Sequence, residues 1–373
     1  MPLVLLILLL TDFLSISFIF LGYYFWSEWV AYRGTTADGY AERCQYAALA
    51  LLLFMLLGKF LISALLSKRR KGEDEPVMFD TDKRESLKRP DGSIINVEYY
   101  GREKGQPIIF IHGWNANIRN WYYQAKYFAK DYRLIMIDLP GLGRSTRPGN
   151  KDFSLRKMAS DLNAVIEHSG AKNPILWGHS IGGMIILTLL TKQRPFLTQS
   201  IKGIILQHTT YTNPVKTMIF SKIMTAIQKP VLVPLCWVLI ALSPIVWIFR
   251  WMSYLNGNAQ LVTRILTFAG TQSAKQLDFS TLLSTLAPPA VMARGVLGMF
   301  KYDVTKELSS VTVPALVIAA NKDRLTRASA SEYMARSIPN ARLELITPAN
   351  HQGLIERHRE VNEAADRFMQ LLR

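Results

Sequence analysis

Cysteine is scarce in this 373-residue chain: only Cys44 and Cys236 occur, both in or beside apolar stretches, which excludes a disulfide framework. Acidic residues are also few, 28 against 44 Lys and Arg, and between Glu167 and Asp278 there are none. Ten basic residues fall in that acid-free interval, among them Lys192, Lys216, Lys222, Lys229 and Arg250. A basic stretch can address nucleic acid or an anionic membrane surface. Here the cations are interleaved with Trp, Phe, Met, Ile and Leu, and no nucleic-acid motif accompanies them. The expected partner is therefore the anionic leaflet of a bilayer, not nucleic acid. The N-terminus has neither a basic leader nor an A-x-A-like site, which argues against a cleaved signal peptide.

What the chain has in excess is apolar sequence. Runs from Leu3 to about Trp26 and from Tyr46 to Leu66 are each long enough to cross a bilayer. Tyr23, Tyr24, Trp26, Trp29 and Tyr32 supply an interfacial belt where the first would emerge. Lys68-Arg69-Arg70-Lys71 follows the second, whereas the connecting loop carries only Arg33 and Arg43. The positive-inside rule then places the N-terminus and everything after Lys68 on the cytoplasmic side of an integral membrane protein. Asp12 and Lys59 lie within the spans, ~13 and ~10 Å deep at 1.5 Å per residue. Their pairing across the hairpin is one expectation; Lys59 reaching to the interface, with Asp12 protonated or facing another subunit, is the other.

Residues 68–85 read as a charged linker. Beyond them, strand-like runs (Ile94–Tyr100, Pro107–Ile111, Leu134–Ile137, Pro174–Trp177, Gly203–Gln207, Ala315–Ala320, Leu343–Ile346) alternate with helix-like ones. That pattern implies a mostly parallel sheet covered on both faces. The alternation lapses between about Thr209 and Ala287, which reads as a helical cap. The expected organisation is a two-helix transmembrane anchor over 1–67, a core over 86–208 and 288–373, and a cap over 209–287. Within the cap, Val231–Phe249 is uncharged and long enough to span. A crossing there would strand the later β-strands on the wrong side, and Pro230, Pro234 and Pro244 interrupt it. The expectation is a segment that lies on or dips into the bilayer, with a merely buried cap core as the alternative.

The chemistry centres on Gly178-His179-Ser180-Ile181-Gly182, placed between a strand and a helix as a nucleophile elbow requires. Serine needs a base, and the base an acid. In the chain order Ser, acid, His, the acid-free interval removes every candidate before Asp278. Asp323 follows the strand Ala315–Ala320, where such sheets place their sites; Asp278, Asp303 and Glu307 remain as minor alternatives. His351 lies in the loop after the last strand, while His358 falls in a charged helix, Leu354–Leu372, and is expected to be solvated. Backbone N–H groups of Trp114 and Ile181 are the expected oxyanion donors, with His112 a structural hydrogen-bonder.

His112-Gly113-Trp114, Asp138-Leu139-Pro140-Gly141-Leu142-Gly143-Arg144-Ser145, Gly178–Gly183, Asp323 and His351 together resemble the α/β-hydrolase superfamily over roughly residues 85–373. The resemblance implies an eight-stranded sheet, a Ser180–His351–Asp323 triad, a cap after the sixth strand, and no cofactor or metal. Serine at the nucleophile position makes the dehalogenase and epoxide hydrolase branches unlikely. With its anchor and apolar cap, the chain resembles membrane-bound monoacylglycerol lipases and lysophospholipases, although the two-helix hairpin departs from the single anchor expected there. The implied function is hydrolysis of lipid carboxylic esters. Acyl transfer or thioester hydrolysis on the same triad, and a non-catalytic membrane scaffold or receptor, are the alternatives.

Overall fold

The computed structural model describes residues 2–68, 74–193 and 199–372, with side chains from residue 13 onward. The Asp12 side chain and Arg69-Arg70-Lys71 lie outside these residues. Two long helices open the chain, α1 (Pro2–Tyr32) and α2 (Asp38–Leu66), joined by a short turn and packed as a hairpin. Phe18 and Phe54 meet edge to face with ring centroids 5.7 Å apart.

The core follows as β1 (Lys83–Lys88), β2 (Ile94–Gly101), β3 (Gln106–Ile111), α3 (Tyr122–Phe128), β4 (Tyr132–Ile137), α4 (Leu155–His168), β5 (Ile175–His179), α5 (Ile181–Thr188) and β6 (Gly203–Gln207). The cap then inserts α6 (Ser221–Ile227), α7 (Val233–Ala241), α8 (Ser243–Leu255), α9 (Asn258–Thr267), α10 (Ala274–Leu286) and α11 (Pro289–Met299). The chain returns through β7 (Ala315–Ala320), α12 (Ala328–Ser337), β8 (Ala341–Ile346), α13 (Gly353–Glu356) and α14 (His358–Gln370).

The eight strands form one sheet in the order β1-β2-β4-β3-β5-β6-β7-β8, parallel except that β2 opposes both its neighbours. Strands such as Ile108-Ile109-Phe110-Ile111 are apolar at every position because both faces are covered. Ile109 and Ile111 pack with α4 and α5 on one face, Ile108 and Phe110 with α3 and α14 on the other. The cap is not a detached lid. α11 and the Cys236–Leu239 face of α7 extend the first core, while α10 and Phe268 extend the second. Pro289–Met299, which the sequence reading leaves in the core, packs against α7 of the cap.

Three further elements differ from expectation. β1 is a charged edge strand, Lys-Arg-Glu-Ser-Leu-Lys, that carries no apolar alternation but blunts the sheet edge. The C-terminal helix is broken at Arg357 into α13 and α14. The run Ser221–Ala241 is helical throughout, passing Pro230 through a wide π-turn, and ends at Leu242 before Ser243-Pro244 starts α8. Among the described residues, Asp38–Leu66 and Ser221–Ala241 are long and apolar enough to cross a membrane. β6 and β7 nonetheless pair directly in parallel, with Ile204 opposite Ala315, so the chain before and after the inserted cap belongs to one sheet.

The hairpin rests on the cap. Lys59 donates to the Tyr254 hydroxyl at 3.1 Å, and Tyr254 in turn donates to Asp278 at 3.1 Å. Asn256 and Asn258 side chains both donate to Ser15 Oγ, at 2.8 and 3.1 Å. Gly58 approaches so closely that a Cβ there would lie 2.5 Å from the Asn256 carbonyl oxygen. Arg250, grouped by sequence with the cations flanking a membrane-contacting run, is instead buried. Its guanidinium donates to the Ala287 carbonyl at 2.8 Å and to the Ser284 carbonyl, satisfying the C-terminal end of α10.

Candidate active site

Ser180 sits between β5 and α5 with φ 53° and ψ −117°, a strained backbone that holds its Oγ above the sheet. Gly182 of the elbow and Gly113 of the loop after β3 are required by space. A Cβ on Gly182 would run into the Ile111 carbonyl, and one on Gly113 would lie 2.6 Å from His179 Nδ1. Thr209, just after β6, locks the turn by donating to the Ser180 carbonyl at 2.6 Å.

Ser180 Oγ lies 3.0 Å from His351 Nε2, and His351 Nδ1 lies 2.9 Å from Asp323 Oδ2. These are the three residues singled out by chain order, brought together from loops after β5, β7 and β8. Asp323 Oδ1 also accepts the N–H groups of Leu325 and Thr326, each at 2.8 Å, and Oδ2 accepts the Thr326 hydroxyl at 2.9 Å. Burial alone would raise its pKa; the adjoining His351 and these donors outweigh it and hold the carboxyl below its ordinary value. The alternative acids are engaged elsewhere: Asp278 with Tyr254 and Gln260, Asp303 with Thr212, Glu307 with Lys192.

Among the described residues, neither the Trp114 nor the Ile181 backbone N–H has a hydrogen-bond acceptor. Ile181 is the first residue of α5, where an unused N–H carries the positive end of the helix. Asn115, next to Trp114, has φ 65°, the local strain of a loop bent back toward Ser180. His112 is structural, as expected: Nδ1 pairs with the Gly113 carbonyl at 2.8 Å and Nε2 accepts the Leu139 N–H at 3.0 Å. Complete burial lowers its pKa and keeps it neutral.

Sequence reasoning missed two other histidines. His179 Nε2 and His208 Nδ1 both reach the main-chain carbonyl of His351, at 2.9 and 3.0 Å. As that oxygen only accepts, each imidazole must carry its proton on the bonding nitrogen. Burial lowers both pKa values, that of His208 to about 4 and that of His179 well below the usual range. The sole sequence signal was position, since His179 precedes the nucleophile and His208 directly follows β6. His358 is only partly exposed; it stacks on Tyr123 with centroids 3.7 Å apart.

The cap closes the site. Trp114 donates through Nε1 to the Met292 carbonyl of α11 at 3.0 Å, and its indole fills the space a Cβ on Gly295 would need. α9 is stitched to the His351 loop, with Gln352 N–H bonded to the Thr267 carbonyl at 2.8 Å. The buried Glu356 carboxylate accepts the N–H groups of Ala269, Gly270 and Thr271. Between Trp114, His351, Val262, Leu266 and Leu283 remains a cavity of about 70 Å³. No cluster of metal-ligating side chains occurs among the described residues.

An α/β-hydrolase fold family model matches residues 106–230. The chain has the α/β-hydrolase fold. It is 24% identical over 265 residues to the AB hydrolase superfamily protein YisY of Bacillus subtilis, covering 71% of this chain and 91% of YisY. An esterase from Exiguobacterium antarcticum superposes with a TM-score of 0.62 at 24% identity, covering 76% of this chain and 98% of that one. A membrane phospholipase A, described as a bacterial virulence factor, superposes with a TM-score of 0.61 at 19% identity, covering 78% and 86%. These likenesses show the fold.

Proposed function

We propose that this α/β hydrolase is a membrane-anchored serine esterase that cleaves carboxylic esters of lipids, of the monoacylglycerol or lysophospholipid class. Relatives and structural neighbours named as esterases and hydrolases support a carboxylic ester hydrolase. The observation that carries the reading is the unbroken chain from Ser180 through His351 to Asp323 at 3.0 and 2.9 Å. Ser180 Oγ attacks the ester carbonyl as His351 Nε2 takes its proton. The developing oxyanion is received by the N–H groups of Trp114 and Ile181. Asp323, held ionised, stabilises the imidazolium, which returns the proton to the departing alkoxide. Water then repeats the sequence on the acyl-enzyme and releases the fatty acid.

Lipid substrates are supported by the apolar cap and by the hairpin docked on it. A cavity of about 70 Å³ is small beside the ~300–1,000 Å³ of ordinary ligand pockets, so on this reading α9–α11 move apart to admit an acyl chain. The Ser180→Ala variant should lose at least about 10⁴-fold in ester hydrolysis and all fluorophosphonate labelling. Retention of either would end the proposal. Vesicles carrying monoacylglycerols or lysophospholipids of graded chain length then identify the substrate.

A further inference from the structure

A second cavity, of about 510 Å³, opens between core and cap on the side of α11 facing away from Trp114. Its size falls within the range of ligand pockets, ~300–1,000 Å³, and well exceeds a bare inorganic anion. Lys151 and Arg156 line it from the core, Arg294 from α11 of the cap and Lys301 from the turn that follows α11. None of these four has an acidic partner among the described residues. The carboxylates in the wall are committed elsewhere: Asp152 accepts the Ser154 N–H at 2.8 Å, and Asp303 accepts Thr212 Oγ1 at 2.7 Å and the Thr305 N–H at 3.0 Å. Lys192, the remaining cation, is paired with Glu307.

One wall is apolar. Leu297 and the indole of Trp237, 54% exposed, border the cations. Trp237 belongs to the Ser221–Ala241 run, whose neighbouring Val238 and Val231 are also exposed. Unpaired cations beside an exposed aromatic at the edge of an apolar face match a phosphate that carries alkyl chains.

We propose that this cleft binds the headgroup of an anionic phospholipid, with its phosphate bridging Lys151 and Arg156 of the core to Arg294 and Lys301 of the cap. The site is separate from the catalytic pocket, because α11 and Trp114 stand between them. The inference rests on the bilayer contact proposed above for the cap, and its test does not depend on turnover.

The full chain, purified in neutral detergent, is titrated with ether-linked phosphatidylglycerol or ether-linked phosphatidylcholine, which Ser180 cannot hydrolyse, and retained lipid is read by native mass spectrometry. Phosphatidylglycerol should be retained preferentially. R294Q/K301Q should weaken its retention by about 30-fold, the expected effect of two surface cations, whereas R294K/K301R should keep it. R156Q, on the core side, should weaken it in the same direction and guards against a folding defect on α11. Equal retention of the two lipids, or of phosphatidylglycerol by wild type and R294Q/K301Q, overturns the proposal. Displacement by millimolar inorganic phosphate assigns the site to a soluble phosphate and overturns the lipid. Hydrolysis of a soluble ester, measured in parallel, tests the esterase reading on its own.

Discussion

At the scale of single residues, His351 is held from both ends: its ring by Asp323 and its own carbonyl by two imidazoles. An N–H to carbonyl bond in a dry interior resists displacement, since breaking it leaves a buried polar group unsatisfied at a cost of ~1–3 kcal/mol. His208→Ala should therefore lower kcat about tenfold or more by letting His351 drift, with little effect on KM. His208→Asn, whose Nδ2 occupies the place of the donating Nδ1, should restore most of it, and His179→Gln should rescue His179→Ala through Nε2. Equal loss in the Ala and Asn variants would mean that bulk, not the donated bond, matters. The histidine also sets an acid limit. Its folded pKa of about 4 lies below the ordinary 6.5, so the unfolded chain binds the proton first. Stability from this group is complete above pH 6.5 and is lost as pH falls toward 4, by on the order of 3 kcal/mol at 1.36 kcal/mol per unit. Thermal unfolding between pH 7 and 4 should show that loss in wild type and a shallower one in His208→Asn. Ser180, Asp323 and His351 could be read from chain order because a 110-residue interval without acids left few choices. The clasp could not: His179 and His351 are 172 positions apart, and no spacing rule connects a side chain to a distant carbonyl.

Among the elements, the seam between hairpin and cap was hidden for a related reason. Apolar runs announced α1 and α2 by length, and the strands β3, β5, β6 and β7 by their bounded Ile- and Val-rich stretches, because burial on two faces leaves a strong signal. A charged edge strand such as β1 leaves none, and partners of polar groups on apolar helices are chosen by tertiary packing. Lys59 thus points to Tyr254, and through it to Asp278 on α10, the helix whose Ser280, Leu283 and Ser284 line the catalytic cavity. The hairpin is built onto the cap. Gly58→Val would drive a side chain into the Asn256 backbone, and overpacking of this kind costs ~1–3 kcal/mol. Tyr254→Phe removes the hydroxyl that joins Lys59 to Asp278. Both variants should speed proteolytic cleavage at the 269–272 loop and lower the melting temperature in detergent, Gly58→Val more strongly. Wild-type melting and cleavage rates in both would refute the seam. Because α9 is bonded to the loop that carries His351, loosening it should also reduce ester hydrolysis.

For the molecule as a whole, the closed sheet limits how the chain can sit in a bilayer. β6 and β7 pair directly across the cap insertion, so Ser180 and His351 share one side of any membrane, and the Ser221–Ala241 run can enter the bilayer but cannot cross it once. The hairpin has no such restriction. If α1 and α2 span, the turn at Arg33–Ala37 lies on the opposite face from the core; if they lie flat, it shares the core's face. The four cations after α2, against Arg33 in the turn and Arg43 near the start of α2, favour the first arrangement with the core cytoplasmic. A single cysteine at Thr36, exposed in the turn, and another at Lys104, exposed on the core, separate these cases. Cys44 and Cys236 are buried and should contribute little background. In intact cells, a membrane-impermeant maleimide added outside should label Thr36→Cys and leave Lys104→Cys unmodified until the membrane is opened. The reverse pattern would turn the protein over, placing Ser180 outside. Protection of both sites until lysis would lay the hairpin along the cytoplasmic surface, with the core still facing inward but anchored by a helix pair that does not span.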